Sequence, residues 1–114
     1  MSSSWHPVCP SGDLPADGKL AVTIAGWDLL LLREGGSVHA YIDRCPHQAA
    51  RLSPGKVRRG SIMCPLHGAR FKIATGECIG GAYRSLRSFA VREENGTIAV
   101  ELPGETADSS GLPL

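Results

Sequence analysis

Apolar and polar positions alternate along this chain in short runs that end at turns rich in glycine. Leu20, Val22 and Ile24 would share one face of an extended segment, and the residues between them are small or polar. Residues 29–33 form an almost continuous apolar run, which is typical of a strand buried on both faces. Shorter strand-like runs are found at residues 38–42, 61–63, 69–73, 89–92 and 97–102.

Turn signals separate these runs. Asn95-Gly96 is a strong hairpin signal, because both residues tolerate a positive φ. Turns are also predicted at Gly26-Trp27-Asp28 and at residues 34–37. No stretch keeps a helical period for three turns, so the chain is predicted to be all-β, as a sandwich or a barrel.

Two short motifs carry the candidate chemistry: Cys45-Pro46-His47 and Cys64-Pro65-Leu66-His67, separated by sixteen residues. Each motif offers one thiolate and one imidazole, so together they form a Cys₂His₂ metal site. Structural zinc sites usually pair like ligands within an arm, whereas each arm is mixed here. A two-iron, two-sulfide cluster also takes two cysteines and two histidines. The mixed arms favour the cluster and leave zinc as the alternative.

This pattern resembles the Rieske family over residues 4–102. The resemblance implies an antiparallel β-sandwich base with a small inserted cluster-binding subdomain, at about residues 43–84. The domain would cover residues 1–102, with residues 103–114 as a flexible tail.

The resemblance also implies one [2Fe-2S] cluster per chain. Cys45 and Cys64 would hold the inner iron, while His47 and His67 would hold the outer iron.

The same resemblance places the chain in the low-potential class of the family. Ala50 and Leu66 stand where high-potential members have a disulfide over the cluster. Ala69 and Phe71 stand where those members have serine and tyrosine hydroxyls that bond to the cluster sulfurs. Without these donors the expected potential is about −150 mV, the bottom of the Rieske range.

Residues 64–71, followed by Thr75-Gly76, are similar to ferredoxins of bacterial ring-hydroxylating dioxygenases. The implied function is to carry single electrons from a flavin-dependent ferredoxin reductase to a terminal oxygenase in aromatic hydrocarbon catabolism, without being an enzyme itself. Many relatives have a proline in the loop at residues 79–84, where this chain has Gly80-Gly81, so the covering of the cluster stays open. The alternatives are a Rieske-type small subunit of a larger oxidoreductase such as nitrite reductase, and a zinc-stabilised interaction module.

Composition is consistent with a small carrier. The 114 residues allow one domain, and no apolar run is long enough to span a membrane. The N-terminus has no secretory signal pattern, so we expect a cytoplasmic monomer. Other residues of interest are assigned structural or surface roles: Cys9 and Cys78 as reduced, buried thiols, His6 and His39 as surface residues, and Trp5 and Trp27 as packing residues.

Charge is distributed unevenly along the chain. Ten of the twelve lysines and arginines lie in residues 44–92, together with a single acid, Glu77. We interpret this excess as a basic face around His47 and His67 that steers the carrier onto acidic docking sites of its reductase and its oxygenase. The alternative is a set of ordinary solvated side chains. Nucleic acid is not expected as a partner, since no aromatic stacking surface accompanies the arginines.

Overall fold

The computed structural model describes residues 3–15, 18–44, 51–65, 68–80 and 83–103. Within these ranges the chain is built from β-strands and one 3₁₀ turn at Ser11–Asp13, which confirms the all-β prediction. The strands are β1 (Ser3–Pro10), β2 (Lys19–Ile24), β3 (Trp27–Glu34), β4 (Ser37–Ile42), β5 (Lys56–Arg58), β6 (Ser61–Met63), β7 (Arg70–Lys72), β8 (Ser88–Phe89), β9 (Val91–Glu94) and β10 (Thr97–Pro103).

The strands form three antiparallel sheets, ordered β1-β10-β9, β2-β3-β4-β8 and β5-β6-β7. The first two sheets make the base, and their facing residues form one core that includes Leu29, Leu31, Ile98 and Val100. The third sheet, inserted between β4 and β8, packs over a second core. No described helix is long and apolar enough to cross a bilayer.

Strand β3 supplies side chains to both cores. Successive residues of a strand point to opposite faces, so Leu29 and Leu31 enter the base core while Leu30 and Leu32 enter the core under the third sheet. All four leucines have no exposed surface. The prediction of a strand buried on both faces is therefore confirmed, and each leucine contributes about 2 kcal/mol of burial free energy.

The prediction of one strand at residues 89–92 was wrong. Ser88 and Phe89 pair with β4, whereas the chain from Val91 onward pairs with β10 in the other sheet. Ala90 is the crossing point between the two sheets. The apolar alternation continues through the crossing because both sheets face the same core, so periodicity alone does not reveal the break.

The predicted turn at residues 26–28 was also placed too late. Ala25 and Gly26, both with positive φ (52° and 85°), make the turn, and Trp27 already pairs with Ile24. Trp27 is 4% exposed and packs edge-on against Phe89, with ring centroids 5.6 Å apart. The predicted Asn95-Gly96 turn is confirmed, since both residues have positive φ between β9 and β10.

Several other expectations need correction. Cys9 and Cys78 are only partly buried, because Cys9 lies in the edge strand β1 and Cys78 forms an isolated bridge at the rim of the third sheet. His6 and His39 are half-buried rather than fully on the surface. Strands β1 and β5 were not predicted, and β10 continues to Pro103. The predicted tail from residue 104 lies outside the described residues.

One ion pair links the two base sheets. The Arg33 guanidinium, on β3, forms a bidentate ion pair with the Glu93 carboxylate on β9. Its Nη2 donates to Oε2 at 2.8 Å and its Nη1 donates to Oε1 at 3.1 Å. Arg33 Nε also donates to the Leu14 carbonyl at 2.7 Å. The hydrogen bonds from Arg33 lower the pKa of Glu93 from 4.5 to about 2.

This lowered pKa predicts an acid-dependent contribution to stability. A carboxyl whose pKa is lower in the folded state stabilises that state above the unfolded pKa, and the effect is lost as the pH falls through the folded pKa. We expect the urea midpoints of the wild type and Glu93→Gln to differ by a constant amount above about pH 5.5. The difference should shrink as the pH falls from 4.5 towards 2. Acid effects on the candidate metal ligands are common to both chains, and a pH-independent difference would contradict this assignment.

Candidate metal centre

Cys64 is the one predicted ligand that lies within the described residues; Cys45, His47 and His67 fall outside them. Cys64 directly follows β6 and is 1% exposed. It packs in the same core as Ile62 and Phe71. A thiol at this place lies at the inner side of the third sheet, where an apolar wall limits access of water.

Two backbone hydrogen bonds close the second ligand arm, which is the segment that contains Cys64 and His67. Cys64 N donates to the Ala69 carbonyl at 2.7 Å, and Gly68 N donates to the Cys64 carbonyl at 3.0 Å. Gly68 has a φ of +73°, a conformation that favours glycine. The arm is therefore fixed at both ends where it joins β6 and β7, and the backbone of Cys64 is held from both sides.

A buried carboxylate, that of Asp43, lies beside the first ligand arm, which is the segment that contains Cys45 and His47. Asp43 follows β4 and is 1% exposed. Its Oδ1 accepts hydrogen bonds from Leu52 N (2.9 Å) and Ser53 N (2.8 Å). Its Oδ2 accepts bonds from Ser53 Oγ (2.8 Å) and Arg51 Nη1 (3.2 Å). The carboxylate thus joins the residues that come directly before and after the segment 44–50, which contains Cys45 and His47.

Sequence reasoning missed this carboxylate, although a signal was present. Asp43 is an acid at the end of the otherwise apolar strand residues Ala40-Tyr41-Ile42. A carboxylate that follows a buried strand must find donors, because burying it unpaired costs several kcal/mol. The number of donors was not readable from the sequence, since they lie eight to ten residues further along the chain.

The two arms meet at Gly55. Its amide donates to the Leu52 carbonyl at 2.7 Å, which closes the turn after the first arm. A Cβ at this position would lie 1.9 Å from the Met63 carbonyl oxygen, immediately before Cys64. Any side chain here would displace the backbone, so glycine is required for the exit of the first arm to pass against the entry of the second.

A third segment runs beside β7. Cys78 bridges to Phe71, and Ile79 N donates to the Arg70 carbonyl at 2.8 Å. Gly80 then turns the chain with a φ of +94°. The covering loop predicted at residues 79–84 begins at this turn, and its residues 81 and 82 lie outside the described ranges.

Gly76 and Tyr41 anchor that segment to the base. Gly76 has a φ of +81°, and a Cβ there would lie 2.9 Å from the Tyr41 ring. The Tyr41 hydroxyl donates to the Ile73 carbonyl at 2.5 Å, and burial raises the pKa of this tyrosine to about 12. Tyr41 therefore stays a neutral hydrogen-bond donor that fixes the turn between β7 and Cys78.

The remaining cysteines occupy different surroundings. Cys9 packs against the base core, and burial raises the pKa of its thiol. Cys78 packs against the core under the third sheet, near Cys64 in the fold but at the rim. Neither forms a disulfide with the other or with Cys64.

The two positions predicted to lack donors lie in the second arm and in β7. Ala69 is half-buried, and its carbonyl accepts the bond from Cys64. Phe71 is fully buried in the same core as Cys64. Their side chains carry no hydrogen-bond donor, as the sequence requires.

The donor set fits a mixed-ligand iron–sulfur cluster. Thiolates and imidazoles in two arms are the ligands that such a cluster takes, and the described parts of both arms converge at Gly55 and Met63. The chain matches the family model described as the Rieske [2Fe-2S] domain over residues 4–90. It belongs to this family, and its cofactor is a [2Fe-2S] cluster rather than zinc.

Comparison with relatives indicates which kind of Rieske protein this chain resembles. The chain is 29% identical over 103 residues to the ferredoxin component of a naphthalene 1,2-dioxygenase system from Pseudomonas aeruginosa, covering 90% of this chain and 99% of that protein. It is 31% identical, with a TM-score of 0.77, to a chain in the complex of reduced oxygenase and oxidised ferredoxin in carbazole 1,9a-dioxygenase, covering 84% of this chain and 91% of the other.

Other matches differ from this chain in sequence identity or in length. A putative NADH-dependent nitrite reductase small subunit from Mycobacterium tuberculosis has a TM-score of 0.77 at 24% identity, a likeness of fold alone. Several curated relatives are longer proteins, of which this chain spans 12 to 20%. The sequence similarity over full length therefore lies with the dioxygenase ferredoxins.

Ala69 and Phe71 carry no side-chain hydrogen-bond donor, so adding a donor at either position should change the midpoint potential of the cluster. Ala69→Ser and Phe71→Tyr each add a hydroxyl, and a donor to a cluster sulfur favours the reduced state. We expect each variant to raise the midpoint potential measured by redox titration, and the double variant to raise it further. Phe89→Tyr adds a hydroxyl in the base and should leave the potential unchanged. Unchanged potentials in both arm variants, with intact folds, would contradict the expected arrangement of the second arm.

Proposed function

We propose that this protein carries single electrons to the terminal oxygenase of a ring-hydroxylating dioxygenase system. The observation that supports this most is the similarity to the naphthalene dioxygenase ferredoxin across nearly the full length of both chains. A Rieske cluster supplies reversible one-electron transfer when bound. The protein performs no substrate chemistry of its own in this proposal.

The cluster is held by Cys45 and Cys64 on one iron and by His47 and His67 on the other. The buried position of Cys64 supports a cysteine ligand on the inner side. The Asp43 contacts support a ligand role for the first arm, because they join the residues on either side of the segment that contains Cys45 and His47.

The electron donor is a flavin-dependent ferredoxin reductase, and the carrier works as a monomer in the cytoplasm. A monomer is supported by the described surface, where Ile79 is the one large exposed apolar side chain. A reducing compartment is supported by Cys9, Cys64 and Cys78, none of which is in a disulfide within the described ranges.

The cations of residues 44–92 divide into two groups. Some have structural partners: Arg51 contacts Asp43 and Asp28, and Arg87 lies over the Trp27 ring at 4.8 Å. Others line a hollow of about 490 Å³ on the outer face of the third sheet. This basic hollow contains Lys56, Arg58, Arg59 and Arg70, together with Met63 and Ile79.

The basic hollow lies next to the second arm. A smaller hollow of about 230 Å³ shares Lys56 and Met63 with it and is also lined by Cys64. Positive side chains around an exposed apolar residue suit a transient contact with an acidic protein surface, in which charge controls the encounter rate. We infer that the acidic docking site of the oxygenase meets the chain at this hollow.

The ligand assignment predicts the cofactor content. The purified protein should contain two irons and two acid-labile sulfides per chain, and the reduced form should give the low-average-g EPR signal of mixed nitrogen and sulfur ligation. Cys45→Ser and Cys64→Ser should abolish or gravely weaken cluster assembly. Cys9→Ser and Cys78→Ser are the matched controls and should keep the visible spectrum. Stoichiometric zinc without sulfide, or cluster loss in either control, would refute the assignment.

The basic hollow predicts a charge-dependent rate of electron transfer. Small oxidants serve as probes: ferricyanide is an anion, and tris(phenanthroline)cobalt(III) is a cation. Oxidation of the reduced protein by ferricyanide should slow as the ionic strength rises to about 0.5 M, where the Debye length is roughly 4 Å. Arg58→Glu or Arg59→Glu should also slow it, and both changes should accelerate oxidation by the cobalt complex.

Arg92→Glu provides the matched control. Arg92 is an exposed cation on β9 of the base, outside the basic hollow, so reversing it should change both rates much less. Equal effects at Arg92 and Arg58 would mean that only the net charge matters. Rates indifferent to salt and to every reversal would leave the cations as ordinary surface.

A further inference from the structure

We propose that Asp43 is a positioning residue that closes the first ligand arm and slows the loss of the cluster. The proposal rests on the ligand roles proposed above for Cys45 and His47. It adds a function to a carboxylate that is not itself a ligand.

The hydrogen-bonding capacity of the Asp43 carboxylate is fully used. The side chain is fully shielded from solvent, and both oxygens accept two hydrogen bonds. Two donors are backbone amides and one is a guanidinium, which are strong partners for a charged acceptor. Such a buried group is stable only with all its partners present, so losing one is costly.

The four hydrogen bonds accepted by Asp43 connect the chain just before the first arm to the chain just after it. All four donors belong to Arg51, Leu52 and Ser53, at the exit of the first arm, while the acceptor precedes that arm. Holding residues 43 and 51–53 together reduces the entropic cost of closing the segment between them, which contains Cys45 and His47.

The base supports this closure. Asp43 N donates to the Asp28 carbonyl on β3 at 2.9 Å, and the Arg51 guanidinium lies 3.4 Å from the Asp28 carboxylate. Thr23 Oγ1 on β2 donates to the same carboxylate at 2.7 Å. Asp43 and Arg51, on either side of the first arm, are therefore both fixed to the β2–β3 hairpin of the base. Asp43 bonds to the residues beside the ligand-bearing segment; for comparison, removing a group bonded directly to a ligand typically costs 10- to 100-fold in metal affinity.

The test measures iron release to the chelator bathophenanthroline disulfonate, followed by absorbance in buffer without denaturant. Asp43→Asn keeps the size of the side chain but removes its charge and two of its acceptor sites. We expect iron release to become about tenfold faster. Arg51→Gln and Ser53→Ala each remove one donor and should give smaller increases. Asp13→Asn, a change of charge at the exposed 3₁₀ turn, should have no effect.

A second measurement distinguishes a specific effect of Asp43 on the ligand arm from a general loss of folding stability. Glu93→Gln weakens the base at a distance from the arms, so it lowers the urea midpoint without opening the first arm. Asp43→Asn should release iron faster than Glu93→Gln at an equal loss of stability, and the g values of its EPR signal should shift.

Release that follows the urea midpoint equally in all variants, or an unchanged rate in Asp43→Asn, would overturn the proposal. If Asp43→Asn does not fold, Arg51→Gln and Ser53→Ala decide the question by the same comparison. A wild-type protein without iron and sulfide would instead refute the proposed cofactor ligation. The two failures are therefore distinguishable.

Discussion

The burial of β3 on both faces is the constraint on which the rest of this structure depends. Its four leucines divide between the base core and the core under the third sheet, so neither core can form without this strand. A strand with one polar face could still form the sandwich, but the third sheet would then have no apolar surface to pack against. Because β4 and β8 extend the same sheet, the place where the ligand arms leave the base is set by the position of β3.

The metal centre is assembled at close contacts between backbone segments. The exit of the first arm passes against β6 at Gly55, and the second arm is closed by amide bonds at Cys64 and Gly68. Asp43 supplies the matching closure of the first arm with a side-chain carboxylate as the acceptor, where the second arm uses backbone carbonyls. The two arms thus use different acceptors to the same end, and in both cases the hydrogen bonds join residues near the two ends of the arm.

Charge serves two purposes in the same half of the chain. Arg51 belongs to the network of Asp43 and Asp28, and Arg92 stacks over the Trp5 ring at 4.2 Å. The cations of the basic hollow instead surround Met63 and Ile79 on an exposed face. A run of positive residues in sequence is therefore partly architectural and partly available to a partner, and only the contacts of each side chain separate the two.

The sequence by itself determined the local strand pattern, the Asn95-Gly96 hairpin, and the two ligand motifs that mark the family. These features depend on residues close together in the chain, where periodicity and turn chemistry act directly. It did not reveal the break at Ala90 or the partial exposure of Cys9 and Cys78. Alternation shows which face of a strand is apolar, but pairing between sheets decides which sheet the strand joins. The donors of Asp43 and the lining of the basic hollow come from separate segments, so tertiary structure alone brought them together.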